Sequence, residues 1–218
     1  MCGRFAFYSP KEAVEQLFGV EVPGLLEPHY NIAPSQHVAA IRNSEKGARE
    51  FVMLRWGLVP SWAKELAIGN HMINARAESL ADKPAFRVAY RRRRCAVLAS
   101  GFYEWRAISS GKTPYFISAA DGQPIAFAGL WERWEKTAHP IESCTIITTG
   151  ANPGLRPLHD RMPVILGIEE LGSWLDAGTA EAELRAMLHS APEGLLNFRE
   201  VSRAVNNPKN DGPELIAD

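Results

Sequence analysis

The chain has 218 residues, 46% of them hydrophobic and 22% charged, and a formal net charge of −1. That length suits a single domain over residues 1–218 with a substantial core, and the near-neutral balance excludes polyanion binding driven by overall charge, which would need a local basic surface instead. With no long apolar run and no signal-peptide pattern, the expectation is a soluble cytoplasmic chain without a membrane partner.

The first element is "MCGRF", which sets Cys2 directly behind Met1. A short helix is predicted over residues 10–18, "PKEAVEQLF", with Ser9 as N-cap, Pro10 in the first turn and Gly19 as the stop. "YNIAPSQ" and "WGLVPSW" read as turn-forming segments, with Pro34 and Trp62 as surfaces on which something flat could stack, or as ordinary loop packing. "EFVMLRWGLV", between them, is strand-like. "INARAES" places Asn74 and Arg76 on one face if extended. "FRVAYRRRRC" gathers Arg87 and Arg91 to Arg94 ahead of a strand, either as a basic surface or as a solvated charge run.

From there the chain is rich in short β-branched and aromatic runs: "CAVLAS", "FYEWR", "TPYFISA", "PIAFAGLWERW", "SCTIITT" and "MPVIL". Helical spacing returns in "GIEELGSWLDAG" and in "TAEAELRAMLHSA", the second with Thr179 as its cap. The closing "VSRAVNNPKNDGPELIAD" is a poor strand and reads as an ordered loop or tail. Together these predict an α+β chain built on a mainly antiparallel sheet, curled or barrel-like, with a few peripheral helices.

Cys2, Cys95 and Cys144 are odd in number and lack C-x-x-C spacing, so neither a disulfide framework nor a zinc site is expected, and no metal or cofactor. If Met1 is removed, Cys2 carries a free amine beside a free thiol. An α-amine has a reference pKa of about 7.7–8.0, so part of it is neutral near physiological pH and attacks aldehydes. The thiol then closes on the imine to give a five-membered thiazolidine. Such a terminus suits an aldehyde to be trapped or an acyl group to be attacked, whereas an incidental buried thiol is the plain alternative.

Three polar features could accompany it. In "GFYEW", Glu104 shares a strand face with Phe102, while Tyr103 and Trp105 take the other; the carboxylate is either solvent-facing or enclosed, and enclosure would suit it to proton transfer. In "LHDRMP", His159 precedes Asp160, which could orient it, and Arg161, which could meet an anion. Asn74 supplies an amide.

"MCGRF", "YNIAPSQ", "WGLVPSWA", "INARAES", "RRRRCAVLASGFYEW", "TPYFI", "FAGLWE", "TIITTGAN", "HDRMPVIL" and "VSRAVNNPKN" resemble, in order and spacing, the SOS-response-associated peptidase (SRAP) family. The resemblance implies a compact α+β fold with a β-barrel-like core. It also implies a monomeric sensor of abasic sites in single-stranded DNA, nucleoid-associated when bound, that forms a thiazolidine DNA–protein crosslink. Carried across motif by motif, Cys2 is the nucleophile and Asn74 orients its amine or the sugar. Glu104 shuttles protons, and His159 assists sugar-ring opening and crosslink reversal. Arg4, Arg76 and Arg161 would contact phosphates, and Pro34, Trp62, Trp105 and Thr148 would shape the cleft and stack on flanking bases. No departure occurs at the four catalytic positions. An imine next to a 3′ phosphate also opens a β-elimination route, so weak abasic-site lyase activity is implied. Two alternatives stand beside this: a thiol peptidase using Cys2 with His159 and Glu104, acting on itself, and a non-covalent single-stranded nucleic-acid module.

Overall fold

The structure, a computed structural model, describes residues 2–109 and 111–217. Met1, whose removal the aldehyde chemistry requires, lies outside the described residues, as does Asp218 at the end of the predicted tail.

The chain starts with strand β1 (Phe5–Phe7) and helix α1 (Lys11–Phe18). Gly19 ends α1 in the left-handed conformation, φ 61°, that glycine adopts without a Cβ penalty. The predicted cap shifts by one residue. Pro10 occupies the N-cap position, and the Ser9 hydroxyl instead lies 2.8 Å from the hydroxyl of Ser100.

β2 (His29–Ile32), β3 (His37–Asn43), β4 (Arg49–Trp56) and β5 (Asn74–Arg76) follow. "YNIAPSQ" is therefore half strand and half turn. Its turn is held by the Ser35 N–H donating to the Trp56 carbonyl at 2.8 Å.

The arginine run forms helix α2 (Arg87–Arg92) and opens β6 (Arg94–Ala99). It is not a uniform solvated face: Arg94 is buried, 3% exposed. Its guanidinium donates to the carbonyls of Tyr90 (2.6 Å) and Arg91 (3.0 Å) at the end of α2, and to those of Trp174 (2.6 Å) and Asp176. These are the carbonyls that a helix C-terminus leaves unmatched, and a cation suits them. Arg87, Arg91 and Arg92 remain exposed.

Next come β7 (Gly101–Ile108), β8 (Gly111–Ala119), β9 (Ile125–Trp134) and β10 (Ile141–Gly150). "MPVIL" is two strands, β11 (Arg161–Pro163) and β12 (Ile165–Leu166), rather than the single one expected. Val164 between them donates its N–H to Ile147 and accepts from Ala128, both at 2.9 Å, so the chain changes partner there from β10 to β9. Helices α3 (Glu170–Leu175) and α4 (Glu181–Ala186) precede β13 (Leu196–Glu200). Thr179 does not cap α4; Ala180 holds that position, and the Thr179 hydroxyl donates to the Ser173 carbonyl at 2.6 Å.

Strands β10, β4, β3, β6 and β9 hydrogen-bond in that order, and β9 returns to β10, closing a five-stranded barrel in which only the β10–β4 contact is parallel. β5 adds to β10 in parallel and β11 and β12 extend the rim. A second sheet, β13-β8-β7-β1-β2, is antiparallel throughout. This is the α+β, barrel-like architecture expected from the pattern of short strands.

Aromatic residues lock the sheet to the barrel. Phe5 of β1 lies 5.0 Å from the Trp56 ring and 5.9 Å from Phe127, which in turn lies 5.9 Å from Phe102 of β7. All four are fully buried, and such contacts contribute about 0.5–1.5 kcal/mol per pair beyond area burial. The lock fixes the end of β1 that leads back to Cys2. Among the described residues no helix is long and apolar enough to cross a membrane.

Candidate nucleic-acid site

Cys2 is completely buried. β1 runs antiparallel to β7, with Phe5 opposite Phe102, and the Tyr103 N–H extends the ladder by donating to the Arg4 carbonyl at 3.0 Å. Continuing this register carries the chain past Glu104, itself 3% exposed, so the predicted alternation holds: Phe102 joins the main core, and Tyr103 and Trp105 pack in a second cluster on the other face.

β5 approaches from the barrel side. It pairs with β10 through Asn74 opposite Ile146 and Arg76 opposite Thr148. The Asn74 Nδ2 donates to the Cys2 carbonyl at 2.7 Å, while its buried Oδ1 finds no hydrogen-bond partner among the described residues. The lead into β5 is fixed by Trp56, whose indole N–H donates to the Ile73 carbonyl at 2.9 Å. It is fixed as well by a close crossing of Gly57 and Gly69. A Cβ on Gly57 would lie 2.6 Å from the Gly69 carbonyl oxygen, and its φ of 117° also favours glycine.

The electrostatics of Cys2 are distinctive. Burial pushes its thiol pKa well up, and the nearby Glu104 carboxylate raises it further by disfavouring a second negative charge. Cys2 is therefore a neutral thiol near neutrality.

The four polar positions do not all sit alike. Asn74 holds the Cys2 main chain, and Glu104 lies near enough to act on the Cys2 thiol. His159 belongs to the loop after β10, where its Nδ1 accepts from the Arg161 N–H at 2.9 Å. That bond keeps the proton of the neutral ring on Nε2, with Asp160 Oδ1 also 2.9 Å from Nδ1 and poised to pair with the charged form.

Arg161 begins β11 opposite Gly150. Its guanidinium makes a two-pronged pair with Glu78 at 2.6 and 3.0 Å and donates to the Thr148 carbonyl at 2.5 Å. Thr148 is buried and directs its hydroxyl to the Ala75 carbonyl at 3.4 Å. Arg76 is exposed beside this pair. Glu78 was not singled out from sequence, although it stands in the same "INARAES" segment, two residues after Arg76.

Arg4 is half-buried, and its Nη1 donates to Asn31 Oδ1 at 2.7 Å and to the Val205 carbonyl at 3.0 Å. Burial lowers its pKa from the usual arginine value. Trp105 is also half-buried, with its indole N–H donating to Asn206 Oδ1 at 2.8 Å. Pro34 lies half-buried in the turn before β3, and Trp62 projects from the turn after β4 with 56% of its surface exposed.

Two cavities of about 490 and 330 Å³ lie elsewhere, one beside α1 and α3 and the other beside β2 to β4. Neither is lined by Cys2, Asn74, Glu104 or His159.

The family model described as SOS response associated peptidase (SRAP) matches residues 1–208. The chain is 41% identical to the abasic site processing protein YoqW of Bacillus subtilis, covering 99% of both chains. It is 32% identical to the abasic site processing protein YedK of Escherichia coli, again covering 99% of each. Identity to the mouse abasic site processing protein HMCES is 30%, over all of this chain and 76% of that one. Among solved structures, a Bacteroides thetaiotaomicron protein superposes with a TM-score of 0.89 at 25% identity, covering 99% of this chain and 98% of the other. The motifs that frame Cys2, Asn74, Glu104 and His159 thus stand in a chain that belongs to the SRAP family.

Proposed function

We propose that this protein processes abasic sites in single-stranded DNA by trapping the ring-opened sugar aldehyde on Cys2. The observation that carries this is the hold of Asn74 on the Cys2 main chain, with the Glu104 carboxylate close enough to bias the Cys2 thiol. The names of the relatives, abasic site processing proteins, support the same substrate.

After loss of Met1, the neutral Cys2 amine attacks the C1′ aldehyde. The resulting carbinolamine loses water to give an imine. The thiol then adds across the C=N bond, its sulfur to carbon and its proton to nitrogen, so aminothiol and aldehyde yield thiazolidine and one water. Asn74 orients the amine, for which its Oδ1, without a partner among the described residues, is a matched acceptor. Glu104 carries protons between carbinolamine, imine and thiol. His159, in its charged form paired through Nδ1 with Asp160, delivers its Nε2 proton to the sugar ring oxygen during opening, returns to the neutral ring, and serves again in reversal.

Arg76, Arg161 and Arg4 contact phosphates, and Pro34, Trp62 and Trp105 shape the path of the strand, whereas Thr148, being fully buried, acts through the Arg161 guanidinium that its carbonyl holds. Stacking of this kind contributes about 1–3 kcal/mol per base. β-Elimination from the imine gives a weak lyase side reaction, limited by thiazolidine closure. The peptidase reading is less well supported, because a cysteine nucleophile is activated by a lowered pKa and here burial and Glu104 act in the opposite direction.

The Cys2→Ser variant tests the chemistry. It keeps the amine and loses the thiol, so it should form at most a labile imine with an abasic oligonucleotide. A heat-stable adduct in that variant would rule out the thiazolidine.

A further inference from the structure

Asn31 has no part in the proposed chemistry, yet it is a polar side chain only 1% exposed. Its Oδ1 accepts from Arg4 Nη1 at 2.7 Å. Its Nδ2 donates toward three carbonyls of the C-terminal segment, Val205 at 3.2 Å, Asn207 at 3.1 Å and Asn210 at 2.7 Å. The Asn31 and Tyr30 N–H groups both donate to Asp211 Oδ1, at 2.7 and 2.6 Å, and His29 Nδ1 lies 2.7 Å from the other Asp211 oxygen. One short strand, β2, thereby binds both the start of the chain and residues 205–211.

The same segment reaches β7. Asn206 is exposed, and its Oδ1 accepts from the Trp105 indole at 2.8 Å. Arg4 also acts on Cys2, since its backbone N–H offsets part of the upward shift of the thiol pKa. Only a carboxamide places an acceptor and two donors on one compact planar group, which the Asn31 position uses in full. The segment thus grips two side chains on either side of the Cys2 strand.

We propose that the segment Val201–Ile216 backs the strands that carry the Cys2 site, from the sheet face on which Tyr103 and Trp105 lie, and that Asn31 and Asn206 are positioning residues that tie this segment to Arg4 and to Trp105. The proposal rests on the reading of Cys2 as the centre of the site. Asn31 fixes the segment that leads from Cys2 into β1, and Asn206 fixes the tilt of the indole along the path of the DNA.

Two measurements on wild type, Asn31→Asp and Asn206→Ala test it. The first is the rate of iodoacetamide alkylation mapped to Cys2, without DNA. The second is adduct formation with a single-stranded oligonucleotide carrying one abasic site, as limiting rate and half-saturating concentration. Asn31→Asp keeps the acceptor for Arg4 but loses the donors to three carbonyls, so Cys2 alkylation should rise roughly fivefold or more. Asn206→Ala changes an exposed side chain. It should raise the half-saturating concentration roughly fivefold, and by a larger factor than it lowers the limiting rate, whereas a merely structural role would leave that concentration in place. Wild-type alkylation in Asn31→Asp together with wild-type half-saturation in Asn206→Ala would overturn the proposal. A wild-type protein inert toward the abasic strand would instead end the covalent reading, and alkylation would still judge the backing segment.

Discussion

The Asn74 side-chain amide donates to the Cys2 carbonyl at 2.7 Å, joining a residue of β5 to one 72 positions away in the segment that leads into β1. This bond fixes the main chain on which both the amine and the thiol of Cys2 are carried. A net hydrogen bond is worth about 0.5–1.5 kcal/mol, so Asn74→Ala should slow adduct formation at saturating DNA by roughly 2- to 12-fold through lost orientation alone. Quenched time courses with an abasic oligonucleotide measure it, and an unchanged limiting rate would remove Asn74 from the mechanism.

Cys2, Cys95 and Cys144 are all fully buried, and burial raises the pKa of each. A group whose folded pKa is raised loses its stability contribution as pH climbs past the unfolded value. An unfolded thiol ionises at about 8.5, so above that pH the unfolded state holds fewer protons and stability falls, by up to about 1.4 kcal/mol per pH unit per thiol. Thermal melts from pH 7 to 10 should show a steepening loss. Glu104→Gln removes a charge that holds the Cys2 thiol up, so its thiolate should appear at lower pH in that variant, read from ultraviolet absorbance or alkylation rate.

Glu78 neutralises Arg161 and lies beside exposed Arg76. In the Glu78→Gln variant the proposed phosphate path gains one unit of net positive charge. Affinity for single-stranded DNA should rise severalfold at low salt, and the dependence on salt should steepen. Fluorescence anisotropy over a salt series checks both. Weaker binding would mean that Glu78 serves to aim Arg161 rather than to mask it.

Trp56 is fully buried, packs on Phe5 and donates to the Ile73 carbonyl ahead of Asn74. Trp56→Ala should cost about 3–5 kcal/mol of stability, a large share of what a domain has. Chemical denaturation measures it. Trp56→Phe keeps most of the ring and should show the smaller loss expected of one orphaned carbonyl, about 1–3 kcal/mol.

Much of the barrel was legible because its strands are apolar runs bounded by turn residues, as in "CAVLAS", "PIAFAGLWERW" and "SCTIITT". β1, β2 and β13 were not, since three to five residues give too little alternation to read. α2 was hidden because its arginines mask a helix whose defining contact, Arg94 on four carbonyls, is tertiary. The place of Glu104 in an aromatic strand left it either solvent-facing or enclosed, and the fold buries it; the approach of Asn74 to Cys2 depends on a parallel pairing with β10 that no local pattern encodes. Arg4 illustrates the same limit: its motif suggested a phosphate contact, and only the folded chain shows Nη1 already engaged with Asn31 and Val205.

The most direct test of the central claim is the intact mass of the protein after incubation with a single-stranded oligonucleotide bearing one abasic site, followed by peptide mapping. The account predicts a protein lacking Met1 and a heat-stable adduct equal to protein plus DNA less one water, mapped to Cys2. An adduct on another residue, or none with a protein whose Cys2 amine is free, would contradict it.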